Sequence, residues 1–366
     1  MNSIAIYLSN DISSDQRMQR IGKTLAHIGW SVRLIGIVNK QSLEYIPEDY
    51  SVHRFFIRPQ KGIFFYAVLN LRFFLDALFS KADVLWSVDL DTLPAIRSAA
   101  WLRNKPLVWD CHEIFTAMPE LFDKRFVRNV WKSIEIFFAP GLKHILTVTT
   151  GVGDFLRKEY GLNPLVIHNY PAAYPDVYSP EEKFNSRILL FQGALNHGRG
   201  LDTMIRTMVK LDSSFILKIA GKGPLMNEME QLVQELQLQE RVIFLGQLTP
   251  LELKILTPQV FLGISLLDAQ HENSMVSLAN KNLDYIMAGV PAITMDFPEY
   301  RLINDKWEVA ILLKEPTSEF LKQAIGQLTN NFERYHHLYL ACTEAREVLN
   351  WENECIKLIR FMERFK

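Results

Sequence analysis

Residues 277–297 read SLANKNLDYIMAGVPAITMDF, and the residue types come in the order of a helix, a stop and a buried strand. Ala279 to Met287 reads as the helix, Ala288-Gly289 as its stop, and Val290 to Met295 as a near-continuous apolar strand. A helix that ends at glycine and feeds such a strand is a repeating unit of a parallel sheet covered by helices. The helix start also gathers unpaired backbone N–H groups and the positive end of the helix dipole, so Asn280 and Lys281 there suit a phosphate or a polarised hydroxyl. Asp284, one turn further on, stands where the two hydroxyls of a ribose could be accepted.

The same alternation runs through the whole chain in two series. The first comprises SIAIYLS (3–9), SVRLIGIV (31–38), VHRFFI (52–57), DVLWSVD (83–89), PLVWDCH (106–112), HILTVTT (144–150) and PLVIHN (164–169). The second comprises RILLFQG (187–193), FILKIAG (215–221), RVIFLGQ (241–247), VFLGISLL (260–267) and VPAITMD (290–296). Two series of apolar strands separated by helices predict two doubly wound α/β domains, 1–168 and 185–350. NYPAAYPDVYSPEEKF (169–184), with its prolines and turn formers, is the expected linker. The last helix, 351–366, is expected to cross back onto the first domain. Ligands of open parallel sheets bind beyond the carboxyl ends of the strands, so two such domains are expected to face each other across a cleft.

A chain of 366 residues is long enough for two such cores, and 48% hydrophobic against 22% charged residues makes both globular. Forty basic and 41 acidic side chains leave a formal charge of −1, which argues against nucleic acid as a partner of the whole surface. Cys111, Cys342 and Cys355 are too far apart for a zinc or dithiol spacing, so a reducing, cytoplasmic setting is expected. The start, MNSIAIYLSND, shows no basic leader followed by a long apolar run.

The loops after the strands of the second series carry cations among glycines. Gly193-Ala-Leu-Asn-His-Gly-Arg199-Gly200 follows one strand and Gly221-Lys222-Gly223-Pro224 another. Glycines let backbone approach a ligand closely, and Arg199 offers a planar fork for phosphate. Either loop alone is explained by turn geometry. Arg199, Lys222 and Lys281 arriving from three strand ends form the cation set a diphosphate requires.

With these residues on view, the second half resembles the donor domain of retaining GT-B glycosyltransferases of family 4. They share a Gly loop with an Arg or Lys, an "iaGkGP" turn, and, in one branch, a block similar to "slPNKlfEYmaaGlPvi". The likeness extends upstream: WDCHEIFTAMPEL (109–121) is similar to that branch's "yDsHElf.e.Pel", and the N-terminal segment matches with Asp15 and Arg17 in place. Departures accompany it. Asp284 replaces the family's second glutamate, Val276 stands where the first would fall, and Glu272 lies four residues too early. Ala194 replaces the Arg of the family's "GRL" turn, while Arg199 takes the place of its phosphate lysine.

The resemblance implies a GT-B fold and transfer of a sugar from a nucleotide-diphosphate donor to a hydroxyl acceptor with retention of configuration. No metal or cofactor is implied, because cations and helix-start amides neutralise the leaving phosphates. Gly193, Arg199, Lys222, Asn280, Lys281 and Asp284 would bind the nucleotide diphosphate. His112 would touch the donor sugar and Glu113 orient it or the acceptor; these are the expected catalytic pair. Glu272, Asp89, Asp91, Asp15 and Arg17 are candidates for donor-sugar or acceptor contacts. A plain alternative for the first domain is that Asp110 caps a helix and Asp89 and Asp91 form turns.

The acceptor expected is a glycan or lipid-linked glycan of a bacterial surface polysaccharide or glycolipid. Phe-rich residues 54–81 are too polar to span a bilayer but suit a membrane interface, as does the basic, aromatic stretch 124–143. The sequence thus points to a cytoplasmic protein in peripheral contact with the inner membrane face. A nucleotide-sugar 2-epimerase and a non-catalytic donor-binding subunit fit the same residues.

Overall fold

The computed structural model describes every residue except 1, 40, 41, 43, 119, 120, 122, 175–177, 270 and 271. The chain divides into two compact units, Met1–Asn169 with Glu354–Lys366, and Tyr170–Asn353.

In the first unit the apolar runs become β1 (Ser3–Tyr7), β2 (Ser31–Val38), β3 (Ser51–Phe56), β4 (Val84–Val88), β5 (Leu107–Cys111), β6 (His144–Thr147) and β7 (Leu165–Val166). They form one sheet in the order β3-β2-β1-β4-β5-β6-β7, and every pairing is parallel. All five residues of β4 and of β5 are buried. Burial on both faces is why these strands read as unbroken apolar runs. The strand order reverses between β1 and β4, which puts the natural ligand crevice at their carboxyl ends.

The second unit contains β8 (Ile188–Gln192), β9 (Ile216–Ala220), β10 (Val242–Gly246), β11 (Leu262–Ser265), β12 (Ala292–Met295) and β13 (Ala310–Leu313). Their order is β10-β9-β8-β11-β12-β13, again wholly parallel, with the reversal between β8 and β11. Its core includes Phe191, Phe215, Phe261 and Tyr335, with the last two rings stacked at 5.1 Å. Gly263 in β11 is required by packing, because a Cβ there would stand 2.3 Å from the Tyr285 ring.

Three features go beyond the sequence reading. β13 was not anticipated: four residues with turn signals on either side carry too little periodicity to be read as a strand. The polar segment before the site helix, expected to be irregular, contains a short helix, Glu272–Val276. The stretch read as a linker ends in helix Pro180–Ser186, opened by a capping box between Ser179 and Glu182. Lys183 of that helix is fully buried, and its Nζ donates to Ala288 O at 2.6 Å and Gly289 O at 3.3 Å. It therefore closes the carbonyl end of the site helix. The C-terminal helix Trp351–Met362 belongs to the first unit from Glu354 onward. There Glu354 accepts from His168 N at 2.8 Å, and Phe365 packs on His144 with ring centroids 4.7 Å apart.

Candidate functional site

In the second unit the site is built on helix Asn280–Met287, which Ala279 precedes in an extended conformation. Lys281 is 8% exposed, and its Nζ lies 3.6 Å from the centroid of the Phe191 ring at the end of β8. Among the described residues its ammonium has no hydrogen bond and no carboxylate partner. Burial, reinforced by repulsion from the Arg199 guanidinium, pushes its pKa well below the ordinary lysine value. A buried cation beside a second cation at a helix N-terminus is a site lacking an anion.

The carboxylate is fixed differently. Gln192, the last residue of β8, donates from Nε2 to Asp284 Oδ2 at 2.8 Å, while its Oε1 accepts from Thr257 Oγ1 at 3.0 Å. Lys281 and Asp284, three residues apart, share one helix face. Tyr285 anchors the helix to the sheet by donating to Leu190 O at 2.9 Å.

The glycine loops close on one another. Gly193 N donates to Ala220 O at 2.9 Å, Gly221 N to Gly246 O at 2.7 Å, and Leu195 N to Lys222 O at 3.0 Å. A Cβ on Gly221 would fall 1.8 Å from Gly193 O, so this approach of two strand-end loops admits only glycine. Gly193 borders the cation directly, since a Cβ there would sit 3.4 Å from Lys281 Nζ. Arg199 is half-buried, whereas Lys222 and Asn280 are exposed. A surface cavity of about 440 Å³ beside Arg199 is lined by Asn196, His197, Asp202, Arg206 and Glu228 among others.

In the first unit, the residues beyond β4 and β5 form a closed ionic network. Arg17, 3% exposed, grips the fully buried Asp110 through Nε at 3.1 Å and Nη2 at 2.9 Å, and donates from Nη1 to Ile167 O at 2.7 Å. His112 Nε2 lies 3.2 Å from Asp110 Oδ2, and Nδ1 lies 3.5 Å from Asp89 Oδ2. The His112 backbone N–H donates to Asp89 Oδ1 at 2.9 Å. Burial by itself would lower the His112 pKa, but the carboxylates of Asp89 and Asp110 outweigh it and raise it to about 9. Asp110 runs the other way: burial would raise it, yet Arg17 and His112 hold it far below the usual carboxylate range. His112 is thus an imidazolium at neutral pH, a donor rather than a base.

Asp89 sits at φ +58°, a backbone conformation that costs energy for a residue other than glycine and lets its carboxylate turn back towards His112. Asp91, 5% exposed, has a buried Oδ1 without a hydrogen-bond partner. Burial and repulsion from Asp89 push its carboxyl up to about 7. Asp15 is the N-cap of helix Gln16–His27, accepting from Met18 N at 2.9 Å, and Arg17 is committed to Asp110. Asp110 is the network's buried anion rather than a helix cap. Glu113 is half-buried, and the side chain of Glu272 lies outside the described residues. Gln192 was missed by the sequence reading, although a glutamine closing the apolar run RILLFQ is the signal that would have found it.

Comparison with known proteins places this geometry. The family model "Glycosyltransferase Family 4" matches residues 16–170, and "Glycosyl transferases group 1" matches residues 178–341. The chitobiosyldiphosphodolichol beta-mannosyltransferase of Candida glabrata is 21% identical over 351 residues, covering 81% of this chain and 76% of that protein. The sucrose-phosphate synthase of Thermosynechococcus elongatus superposes with a TM-score of 0.82 at 14% identity, covering 100% of this chain and 99% of that one. HepE of Anabaena, solved with UDP and glucose, superposes with a TM-score of 0.75 at 14% identity over the full length of both chains. Two Rossmann-like domains with parallel sheets, the GT-B fold, are common to this chain and both solved structures.

Proposed function

We propose, from the premise that this chain is a GT-B glycosyltransferase of the group 1 and family 4 kind, that it moves a sugar from a nucleoside-diphosphate donor to a hydroxyl acceptor with retention of configuration. The observation that carries the donor assignment is Lys281, a buried ammonium with Arg199 close by and, among the described residues, no carboxylate partner. A diphosphate supplies the missing charge, and Asp284, pre-oriented by Gln192, accepts the ribose hydroxyls. Lys222 reaches the same phosphates from the next loop.

In this reading the bond between the anomeric carbon and the phosphate oxygen breaks while the acceptor oxygen bonds to the same face of that carbon. The acceptor proton passes to the departing phosphate. Arg199, Lys281 and the helix-start amides stabilise the charge that builds on the leaving group, so the residues present supply the neutralisation a metal would otherwise give. His112, held as an imidazolium between Asp110 and Asp89, would set its positive charge beside the donor sugar rather than donate to it, and Glu113 would orient the acceptor.

The acceptor is a glycan or lipid-linked glycan of bacterial glycolipid or polysaccharide assembly. What supports the lipid-linked part of this reading is the likeness to a Candida glabrata transferase whose name specifies a dolichol-linked acceptor. We further propose a cytoplasmic setting; no helix among the described residues is long and apolar enough to cross a membrane.

One observation favours a second stereochemical course. Asp91, a buried carboxyl with its pKa near 7, has the properties of a general base, which an inverting transfer needs. The experiment is a thermal-shift and nucleotide-release screen against UDP-, GDP-, ADP- and CMP-sugars with chelator present, followed by NMR of the product's anomeric proton. Stabilisation by one donor and a retained anomer support the reading. An inverted anomer, lost in Asp91→Asn, would replace it with the second.

A further inference from the structure

Helix Ile63–Phe79 is apolar on two sides. One side, Phe65, Leu69, Phe73 and Ala77, is buried on the first sheet. The other, Phe64, Val68, Leu71, Leu75 and Phe79, repeats at four- and three-residue spacing and is 72, 40, 61, 45 and 79% exposed. A soluble helix places polar residues on that second row. The row runs the length of the helix, about 24 Å at 1.5 Å per residue.

Two neighbouring helices extend it. Helix Asp89–Arg103 joins the first through Asn70 Nδ2 donating to Asp91 O at 2.9 Å and Arg103 Nη1 donating to Ala77 O at 2.9 Å. Its Trp101 and Leu102 are 80% and 56% exposed. Helix Arg125–Phe138 joins through Tyr66 and Trp131, whose rings are 4.8 Å apart, and exposes Phe126 and Phe137 at 79% and 76%. Exposed aromatic and aliphatic side chains on three adjacent helices of one domain mark an interaction surface.

Charge identifies the partner. Arg58 and Lys61 precede the first helix, Arg72 lies on it, and Lys124 and Arg125 open the third; all are exposed. Within these helices no carboxylate is exposed: Asp76 is paired with Arg33, Glu135 is 1% exposed, Asp91 is 5% exposed and Asp89 belongs to the network beyond β4. At the margin Asp123, beside Lys124, is one exposed acid against the five cations. The chain as a whole is nearly neutral, so this collar of cations is a local asymmetry. Two copies joined across this face would bring the collars together, whereas an anionic bilayer neutralises them while taking up the rings.

We infer that this three-helix face of the first domain lies in the interface of an anionic phospholipid bilayer, with the apolar row of helix Ile63–Phe79 parallel to the membrane plane. It locates the membrane contact that the lipid-linked acceptor requires. It is argued from the first domain alone, without the donor site.

The test is co-sedimentation of the full chain with vesicles of phosphatidylcholine, with and without phosphatidylglycerol, at low and high salt. Salt-sensitive binding to the anionic vesicles is expected. Leu71→Asp or Phe79→Asp should weaken it about tenfold or more, the worth of one inserted side chain. Arg125→Gln should reduce the preference for phosphatidylglycerol. Because these side chains are exposed, unchanged melting temperatures and unchanged nucleotide affinity would show that the fold and the donor site are intact. No binding to anionic vesicles, or binding untouched by these substitutions, overturns the proposal. So does a solution dimer that Leu71→Asp dissociates, since a second copy would then own the face.

Discussion

The two sheets present opposite electrostatic solutions at their carboxyl ends. Beyond β4 and β5, Arg17, Asp110, His112 and Asp89 neutralise one another, and the protein supplies every counter-charge. At the start of helix Asn280–Met287, Lys281 and Arg199 repel each other, and among the described residues no carboxylate pairs with Lys281. The first arrangement spends its charges on holding the domain together. The second leaves them for something that arrives. Buried charge by itself therefore does not mark a ligand site; buried charge without a partner does.

The sharpest way to break this contrast is by stability. Asp110→Asn should strand the Arg17 and His112 cations and cost about 3–5 kcal/mol in denaturant unfolding. Lys281→Met, which removes an uncompensated cation, should leave the unliganded protein unchanged or up to about 1 kcal/mol more stable. Equal losses from both would erase the distinction.

Binding provides the next effect. Lys281→Met should weaken the cognate nucleoside diphosphate about 10- to 100-fold, as expected for charge-assisted hydrogen bonds worth about 1.5–3 kcal/mol. Calorimetry that found the affinity unmoved would remove Lys281 from the site.

A subtler consequence concerns protons. The Lys281 pKa is depressed in the empty site, and an arriving diphosphate favours the ammonium. Nucleotide binding should therefore take up protons over the pH range between the depressed and the restored value. Binding enthalpies compared in buffers of different ionisation enthalpy would report it; no buffer dependence would mean the lysine is already charged.

The smallest expected effects are in the pH profile of the first domain. His112 is raised from 6.5 to about 9, so its contribution is complete below pH 6.5 and is lost as pH rises through about 9. His112→Gln should flatten the fall in melting temperature over that interval. Asp91 is an acid raised from 3.8 to about 7, so it costs stability as pH climbs between those values. Asp91→Asn should then raise the melting temperature at pH 8 by about 2–4 °C, the scale of 1 kcal/mol in a domain of this size.

The sequence by itself determined the repeating strand–helix grammar, because burial on both faces of a parallel strand leaves an unbroken apolar run that is visible locally. It likewise placed Lys281 and Asp284 on one helix face, since their three-residue separation is a property of the helix alone. Tertiary structure alone decided the rest. The union of Arg17 with Asp110 joins residues 93 apart, and Gln192 with Asp284 joins residues 92 apart, distances no local pattern can bridge. That, among the described residues, Lys281 has no carboxylate partner while His112 has two depends on what the folded chain brings near each, not on its neighbours in sequence. In the Phe-rich helix Ile63–Phe79, a segment apolar on two sides has no period that says which side is buried. Only docking on the sheet chose Phe65, Leu69 and Phe73 for the core and left Phe64, Leu71 and Phe79 facing outward.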